Sequence, residues 1–261
     1  MKVFNISINY LKRIFTNPFL IILILAGSLL ETFLVSSNIN SASSSITDSI
    51  SQKYTVVMIV GVNKNANMIQ LICSSTLAYF LLITAIIMVG LNISDRKNKT
   101  FMRMYSCPVK KSTVILGNII GQFLITFIVA VFYMLFSSIL FKINYGHSLI
   151  EIFIVTIFAV YISASFGFFM SGLFKNSTAG VSTCAFILFF LALFSDSFSL
   201  SGDFDATSKF TLNKWIYESY YSLMQENPLS SIVQNLIVLM LLGTLFNVLG
   251  ILLYKREKTY E

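Results

Sequence analysis

Charged residues are scarce in this sequence. Of its 261 residues only 11% are charged, whereas 56% are hydrophobic and the mean hydropathy is +0.80. A soluble domain of this length would need a far more highly charged surface, so the composition argues against a soluble fold. It is typical of a polytopic integral membrane protein.

Catalytic and cofactor-binding motifs are also missing. The sequence has no G-x-x-x-x-G-K-[ST] phosphate loop, no H-E-x-x-H pair and no G-x-S-x-G nucleophile motif. Its three cysteines, Cys73, Cys107 and Cys184, lack metal-like spacing, and its one histidine, His147, falls in a short loop. We therefore expect no enzyme activity, no cofactor and no metal, so any uphill transport must draw on a partner or an ion gradient.

Six apolar stretches are long enough to cross a bilayer, for which a helix needs about 20 apolar residues. They cover residues 18–37, 68–94, 114–141, 149–173, 178–195 and 231–253. The first begins at Pro18, is long for the apolar core of a signal peptide and is followed by five more. The sequence thus predicts an all-α, polytopic membrane protein with six transmembrane helices in one domain, residues 1–261.

The basic residues lie mainly on one side of these spans. If both termini are inside, all but five of the 18 Lys and Arg residues fall in inner segments. The positive-inside rule then places the protein in the cell membrane with both termini cytoplasmic. In a membrane chain the positions of the charges matter more than their sum, so the net charge of +7 does not indicate a nucleic-acid partner.

Two segments outside the spans have a helical pattern. Residues 1–17 carry Phe4, Ile8, Leu11 and Phe15 at helical spacing, which predicts an amphipathic helix at the membrane interface, near anionic lipid. A plain membrane-adjacent anchor is the alternative. In the outer loop 196–230, residues 210–226 predict an interfacial or re-entrant helix that ends before Pro228. The aromatics expected there at headgroup level are Trp215, Tyr217, Tyr220 and Tyr221.

The inner loop 95–113 combines basic residues with an apolar group, and Pro108 should stop any short helix within it. The apolar group consists of Phe101, Met102, Met104 and Tyr105. Such residues supply buried contact area at interfaces, so they favour a short helix that docks on a cytosolic partner. The alternative is a solvated basic loop.

Small residues and one acid stand out within the spans. The pair Gly117 and Gly121 should permit close helix packing in lipid, as should Ser163, Gly167 and Ser171. Glu31 falls in the outer third of the first span, where an unpaired charge is costly. It is a candidate for lining a cavity, and the alternatives are that it snorkels, pairs locally or sits protonated.

A family resemblance rests on several of these segments. The run SDRKNKTFMRMYSCPVKKSTVILG, residues 94–117, resembles the first cytoplasmic loop of ABC-2 type exporter permeases. The matching positions are Thr100, Pro108, Val109 and Gly117, whereas Lys97 and Lys99 stand where the family usually has an acid and a glycine. SGLFKNSTAG (171–180) is similar to the tight inner turn between the fourth and fifth helices, and SGDF (201–204) with NPLSSIVQN (227–235) resembles the external re-entrant region.

The resemblance implies a half-transporter. Two membrane subunits, a second copy or a paralogue completing the dimer, would pair with two cytosolic ABC ATPase subunits. Coupling would run through the N-terminal helix and through Thr100, Phe101, Met102, Arg103, Met104 and Tyr105. The first, second and fifth spans would form the dimer interface and the transport path.

The cargo follows from the same resemblance. Compact permeases without a large external domain resemble those of bacteriocin immunity and the staphylococcal phenol-soluble modulin exporter. Lys outnumbers Arg 14 to 4, which hints at a low-GC Gram-positive host. We therefore expect export of hydrophobic or amphipathic cargo, foremost toxic or antimicrobial peptides. The alternatives are an exporter of lipophilic drugs and a non-transporting channel, sensor or assembly protein.

Overall fold

A computed structural model describes residues 2–16, 19–46, 66–97, 111–145, 148–195 and 211–256. Within these ranges the chain forms eight α-helices and one short 3-10 helix, and no strand. The helices are α1 (Lys2–Thr16), α2 (Phe19–Ile46), α3 (Ala66–Lys97), α4 (Lys111–Phe141), α5 (Leu149–Leu173), α6 (Ser177–Leu193), α7 (Leu212–Met224) and α8 (Val233–Arg256), with the 3-10 helix Leu229–Ile232 before α8. The predicted all-α class is confirmed.

Four of the described segments are long and apolar enough to cross a membrane: Ile69–Lys97, Thr113–Phe141, Ile150–Leu173 and Leu229–Tyr254. They coincide with four of the six predicted spans. The other two predictions fall on α2 and α6, whose described apolar segments, Ile24–Leu34 and Ser177–Leu193, are shorter. Seventeen residues of α6 extend over only about 25 Å at 1.5 Å per residue, against the ~30 Å of a hydrocarbon core. The count of six spans stays a prediction.

Helix α3 occupies the centre of the bundle. It packs against α2, α4, α5, α6 and α7. In its most apolar 18-residue stretch 72% of the residues are buried, compared with 22% in that of α8. Small and hydroxyl side chains along α3, including Ser74, Ala78, Thr84 and Ala85, are buried and allow its neighbours to come close. Among the other contacts, α1 packs on α4, α4 packs on α2 and α5, and α8 packs on α5 and α7.

The two small-residue ladders lie at close helix contacts, as predicted. A Cβ added to Gly167 of α5 would lie 2.9 Å from the carbonyl oxygen of Ala85 on α3. Added to Gly117 and Gly121 of α4, it would lie 2.6 Å from Ile6 and 2.7 Å from Tyr10, both on α1. These distances are shorter than real Cβ contacts, so only glycine permits the observed packing.

Successive long helices run in opposite directions and give the bundle two ends. We call one of them the α1 end. There Arg13 of α1 is paired with Asp95 near the end of α3, and Ser171 near the end of α5 contacts Tyr254 near the end of α8. At the other, the α7 end, Gln70 near the start of α3 accepts a 2.8 Å hydrogen bond from Gln225, which directly follows α7.

Helix α7 packs into the bundle with one side buried. The predicted helix over 210–226 is confirmed as Leu212–Met224, and its Tyr217 and Tyr220 are buried against the bundle. Tyr220 donates a 2.9 Å hydrogen bond to Thr156 of α5. Because its hydroxyl has this partner, the whole ring can be buried without an unsatisfied polar group. The headgroup level of these two tyrosines stays a prediction.

Candidate functional site

Helix α1 has three distinct faces. Ser7, Tyr10 and Ile14 are buried against the bundle. The apolar stripe singled out in the sequence points elsewhere, since Phe4 and Phe15 are 66% and 52% exposed. The third face is polar and comprises Asn5, Asn9, Lys12, Arg13 and Thr16. At 3.6 residues per turn the three faces are about 120° apart. Helix α1 can therefore contact the bundle, the lipid and the water at the same time, each with a different face.

The inward face of α1 is fixed to α4 by close packing and two buried hydrogen bonds. Ser7 Oγ donates to the Gly117 carbonyl at 3.0 Å, and Tyr10 Oη donates to Gln122 Oε1 at 3.0 Å. Burial raises the pKa of Tyr10 well above its ordinary value, so the phenol keeps the proton that it donates. This contact therefore holds across the physiological pH range.

A buried hydroxyl–amide network continues from Gln122 into the bundle. Gln122 Nε2 donates to the Thr84 carbonyl at 2.8 Å, and the hydroxyls of Thr84 and Thr126 lie 2.8 Å apart. Thr84 also lies 3.2 Å from the hydroxyl of Ser163, which donates to the Leu81 carbonyl at 2.7 Å. The network joins α1, α4, α3 and α5. Sequence reasoning did not find it, although Gln122 and Thr126 share one face of a mainly apolar helix.

The last turn of α3 makes charged contacts with three other helices. Arg13 of α1 donates to the carboxylate of Asp95. The neighbouring Arg96 donates to the Ser171 carbonyl and, at 3.0 Å, to that of Phe174. Its guanidinium carbon lies 5.0 Å from the ring centroid of Tyr254. This turn therefore links α1, α5 and α8.

Comparison with protein families identifies the chain. A family model described as ABC-2 family transporter protein matches residues 6–252. The chain belongs to the ABC-2 transporter family. The match starts within α1 and ends in α8, so it includes every helix of the bundle. A comparison with curated proteins returned no match.

Family membership confirms the prediction that this chain is a membrane component of an ABC transporter. An ABC-2 transporter protein is a membrane transport component that works with ABC ATPase subunits, and its apolar helices fit a multi-pass membrane protein. The membership does not extend to the phenol-soluble modulin type of exporter, which stays a prediction. Within the described ranges of this ABC-2 chain, His, Cys, Asp and Glu nowhere form a group of three that could hold a metal ion.

The predicted ATPase-coupling residues, Thr100 to Tyr105, lie outside the described residues of the transporter. The structure describes the chain on both sides of them. Helix α3 continues through Lys97 and α4 begins at Lys111, so both helices extend into the predicted loop 95–113. Lys97 and Lys111, the described residues that flank residues 98–110 (the α3–α4 segment), both belong to the α1 end.

Glu31 is half-buried on α2, close enough to Tyr79 of α3 for the two side chains to interact electrostatically. A separate apolar groove of about 500 Å³ runs between α2 and α4. It is lined by Ala26, Leu29, Leu30, Phe33, Ser37, Leu140 and Phe141. Glu31 is not among these lining residues, and its role in a cavity stays a prediction.

Proposed function

We propose that this ABC-2 protein is the membrane-spanning permease subunit of an ATP-driven exporter in the cell membrane of a Gram-positive bacterium. Its cargo is hydrophobic or amphipathic, foremost toxic or antimicrobial peptides. Both termini, and hence the α1 end, face the cytoplasm, where two ABC ATPase subunits bind. A second copy or a paralogue completes the permease dimer.

The observation that carries this proposal is the apolar outward surface of α2 and α6. Both helices pack on the central helix α3. On α6, Phe186 is 62% exposed and Phe189 is 51% exposed, and on α2, Leu30 and Phe33 are 56% and 59% exposed. Because each chain is closely packed inside, a route for cargo runs between two copies along such faces. Apolar walls suit cargo with an apolar face and disfavour sugars.

The charge and contacts of the α1 end support its role in coupling. Arg13 and Arg96 lie there, as do Lys97 and Lys111, the chain positions on either side of the α3–α4 segment. This segment contributes further basic residues together with the aromatic residues Phe101 and Tyr105. A basic surface with aromatic anchors is the composition expected where a cytosolic protein docks.

Inverted membrane vesicles test the proposal directly. The chain is produced together with an ABC ATPase subunit, and ATP-dependent uptake is measured for a fluorescent cationic amphipathic peptide, a lipophilic dye and a labelled oligosaccharide. We expect ATP-dependent uptake of the peptide and none of the oligosaccharide. Uptake of the dye alone would indicate that the cargo is a lipophilic drug and not a peptide. Flux that does not need ATP would instead identify a channel, and no flux at all would reject transport.

The orientation predicts which sites a membrane-impermeant thiol reagent can reach. In a cysteine-free background, Ser45→Cys and Asp205→Cys should react from outside intact cells, whereas Asn98→Cys and Thr259→Cys should react only after the membrane is opened. Mass-shift labelling of each variant measures this. Labelling of Asn98→Cys from outside would reverse the orientation and remove the argument for ATPase docking.

Glu31 provides a prediction about cargo charge. A carboxylate at the centre of a bilayer costs about 2.5–3.5 kcal/mol, and less towards the interface, so its presence needs hydration, a partner or protonation. If it faces the path, Glu31→Gln should lower export of a cationic peptide about twofold to fivefold, the effect of one partly screened charge pair. Export of a neutral peptide should stay unchanged.

The matched control is Glu151→Gln, which neutralises a half-exposed carboxylate in the first turn of α5. Vesicle uptake of the two peptides at equal amounts of assembled complex is the measurement. Equal effects of Glu31→Gln on both peptides would return Glu31 to a snorkelling or locally paired carboxylate.

A further inference from the structure

The last turn of α3 holds two consecutive charged residues that contact different neighbours. Asp95 is 7% exposed and accepts a hydrogen bond from Arg13 of α1. Arg96 instead contacts the end of α5 and the ring of Tyr254 on α8. Consecutive helical residues point about 100° apart, so one turn can hold a different element on each side.

Arg96 binds where α5 most readily accepts a cation. Ser171 lies in the last turn of α5 and Phe174 is its C-cap residue, so their carbonyls have no partner further along the helix. A guanidinium near a helix C-terminus satisfies such carbonyls and complements the helix dipole. One terminal nitrogen of Arg96, Nη2, bonds both carbonyls, while the planar guanidinium lies over the ring of Tyr254, a contact that a lysine reproduces less well.

A polar layer one turn further into the bundle reinforces the Arg96 side. Asn118 of α4 donates to Asn92 Oδ1 at 3.1 Å, and Asn92 lies 3.4 Å from the hydroxyl of Ser171. The same hydroxyl lies 3.0 Å from that of Tyr254. The ends of α3, α4, α5 and α8 are therefore joined by directional bonds as well as by apolar contacts, which slide more easily.

We propose that Asp95 and Arg96 are positioning residues for energy coupling, dividing the movement of the α3–α4 segment between α1 on one side and the α5–α8 pair on the other. The proposal rests on the proposed function, in which that segment contacts the ATPase. It follows from connectivity, because α3 ends at Lys97 and the segment begins with the next residue. Any displacement of the segment acts directly on the turn that holds both residues, as it does on the first turn of α4.

The test is the amount of a fluorescent cationic amphipathic peptide transported per ATP hydrolysed, measured in vesicles at equal amounts of permease–ATPase complex. Arg96→Gln and Asp95→Asn are expected to keep ATP hydrolysis and to lower this ratio about tenfold, equivalent to about 1.4 kcal/mol of lost coupling. Arg96→Lys keeps the charge and tests the same contact if Arg96→Gln fails to assemble. It should give an intermediate ratio.

Two controls separate coupling from stability. Lys175→Gln removes an exposed charge from the turn between α5 and α6 at the same end, and it should leave the ratio unchanged. The swapped pair Arg13→Asp with Asp95→Arg should recover most of the ratio that either single change loses, since it restores the opposite charges.

A wild-type ratio in Arg96→Lys and Asp95→Asn would overturn the proposal, as would a parallel loss of hydrolysis and transport, which indicates only a structural role. If the unaltered chain itself neither binds the ATPase nor transports the peptide, the proposed function fails first. The two failures are therefore distinguishable.

Discussion

Replacing both Phe101 and Tyr105 with alanine should detach the cytosolic ATPase subunits while the permease still inserts into the membrane. Aromatic anchors buried at an interface commonly contribute about 2 kcal/mol or more each. Losing two of them should weaken the complex by about 4 kcal/mol, or roughly a thousandfold. Co-purification of the ATPase with the permease, together with stimulated ATP hydrolysis, measures the effect.

A matched control removes two aromatics from another surface of the same chain. Phe132 and Phe136 are exposed on α4, with their ring centroids 6.4 Å apart. The double change Phe132→Ala and Phe136→Ala should leave ATPase binding intact. If Phe101→Ala with Tyr105→Ala also co-purifies at the wild-type level, the ATPase binds somewhere other than the α3–α4 segment.

The second large effect is expected from filling the two glycines under α1. In Gly117→Ala and Gly121→Ala the new Cβ atoms would lie 2.6 Å from Ile6 and 2.7 Å from Tyr10, so α1 must move. Overpacking of this kind costs about 1–3 kcal/mol per site, and the double variant should melt on the order of 10 °C lower. Thermal unfolding in detergent measures the loss.

Displacement of α1 can be detected separately with a thiol probe. Ser7 is 1% exposed, so Ser7→Cys should be unreactive in the unaltered background and reactive in the double glycine variant. Gly90→Ala is the matched control, because its Cβ would lie 3.4 Å from Val181, an ordinary contact. Equal melting temperatures for the two backgrounds would mean that α1 is not held by this packing.

The helices were the most predictable part of the molecule. A bilayer demands long apolar stretches, so hydropathy alone finds α3, α4, α5 and α8 close to their observed bounds. For helix α7, hydropathy does not distinguish a position at the headgroups from burial in the bundle. Its tyrosines have an apolar ring and a polar tip, which suits a headgroup region and a core equally well. Thr156, 64 residues away in the chain, supplies the partner that allows Tyr220 to be buried.

The polar contacts of the candidate site could not be read from the sequence for a related reason. Thr84 and Thr126 meet because α3 and α4 pack in one particular register, and no local pattern specifies that register. The glycines were different, since small residues four apart indicate close packing whatever the partner is. Their partner, α1, became evident only in the structure. The contact role of Thr100 to Tyr105 remains a prediction from residue type and resemblance.

The three-faced character of α1 has a consequence for the order of events during synthesis on the ribosome. Side chains of α1 bond residues 82 to 112 positions later in the chain, at Asp95, Gly117 and Gln122. Translation delivers the N-terminus first, so α1 must wait until α3 and α4 have been made before its own docking site exists. Until then, its exposed stripe of Phe4, Ile8 and Phe15 can bind α1 to the membrane surface. Docking of α1 would then be a late assembly step, made only after both partner helices are inserted.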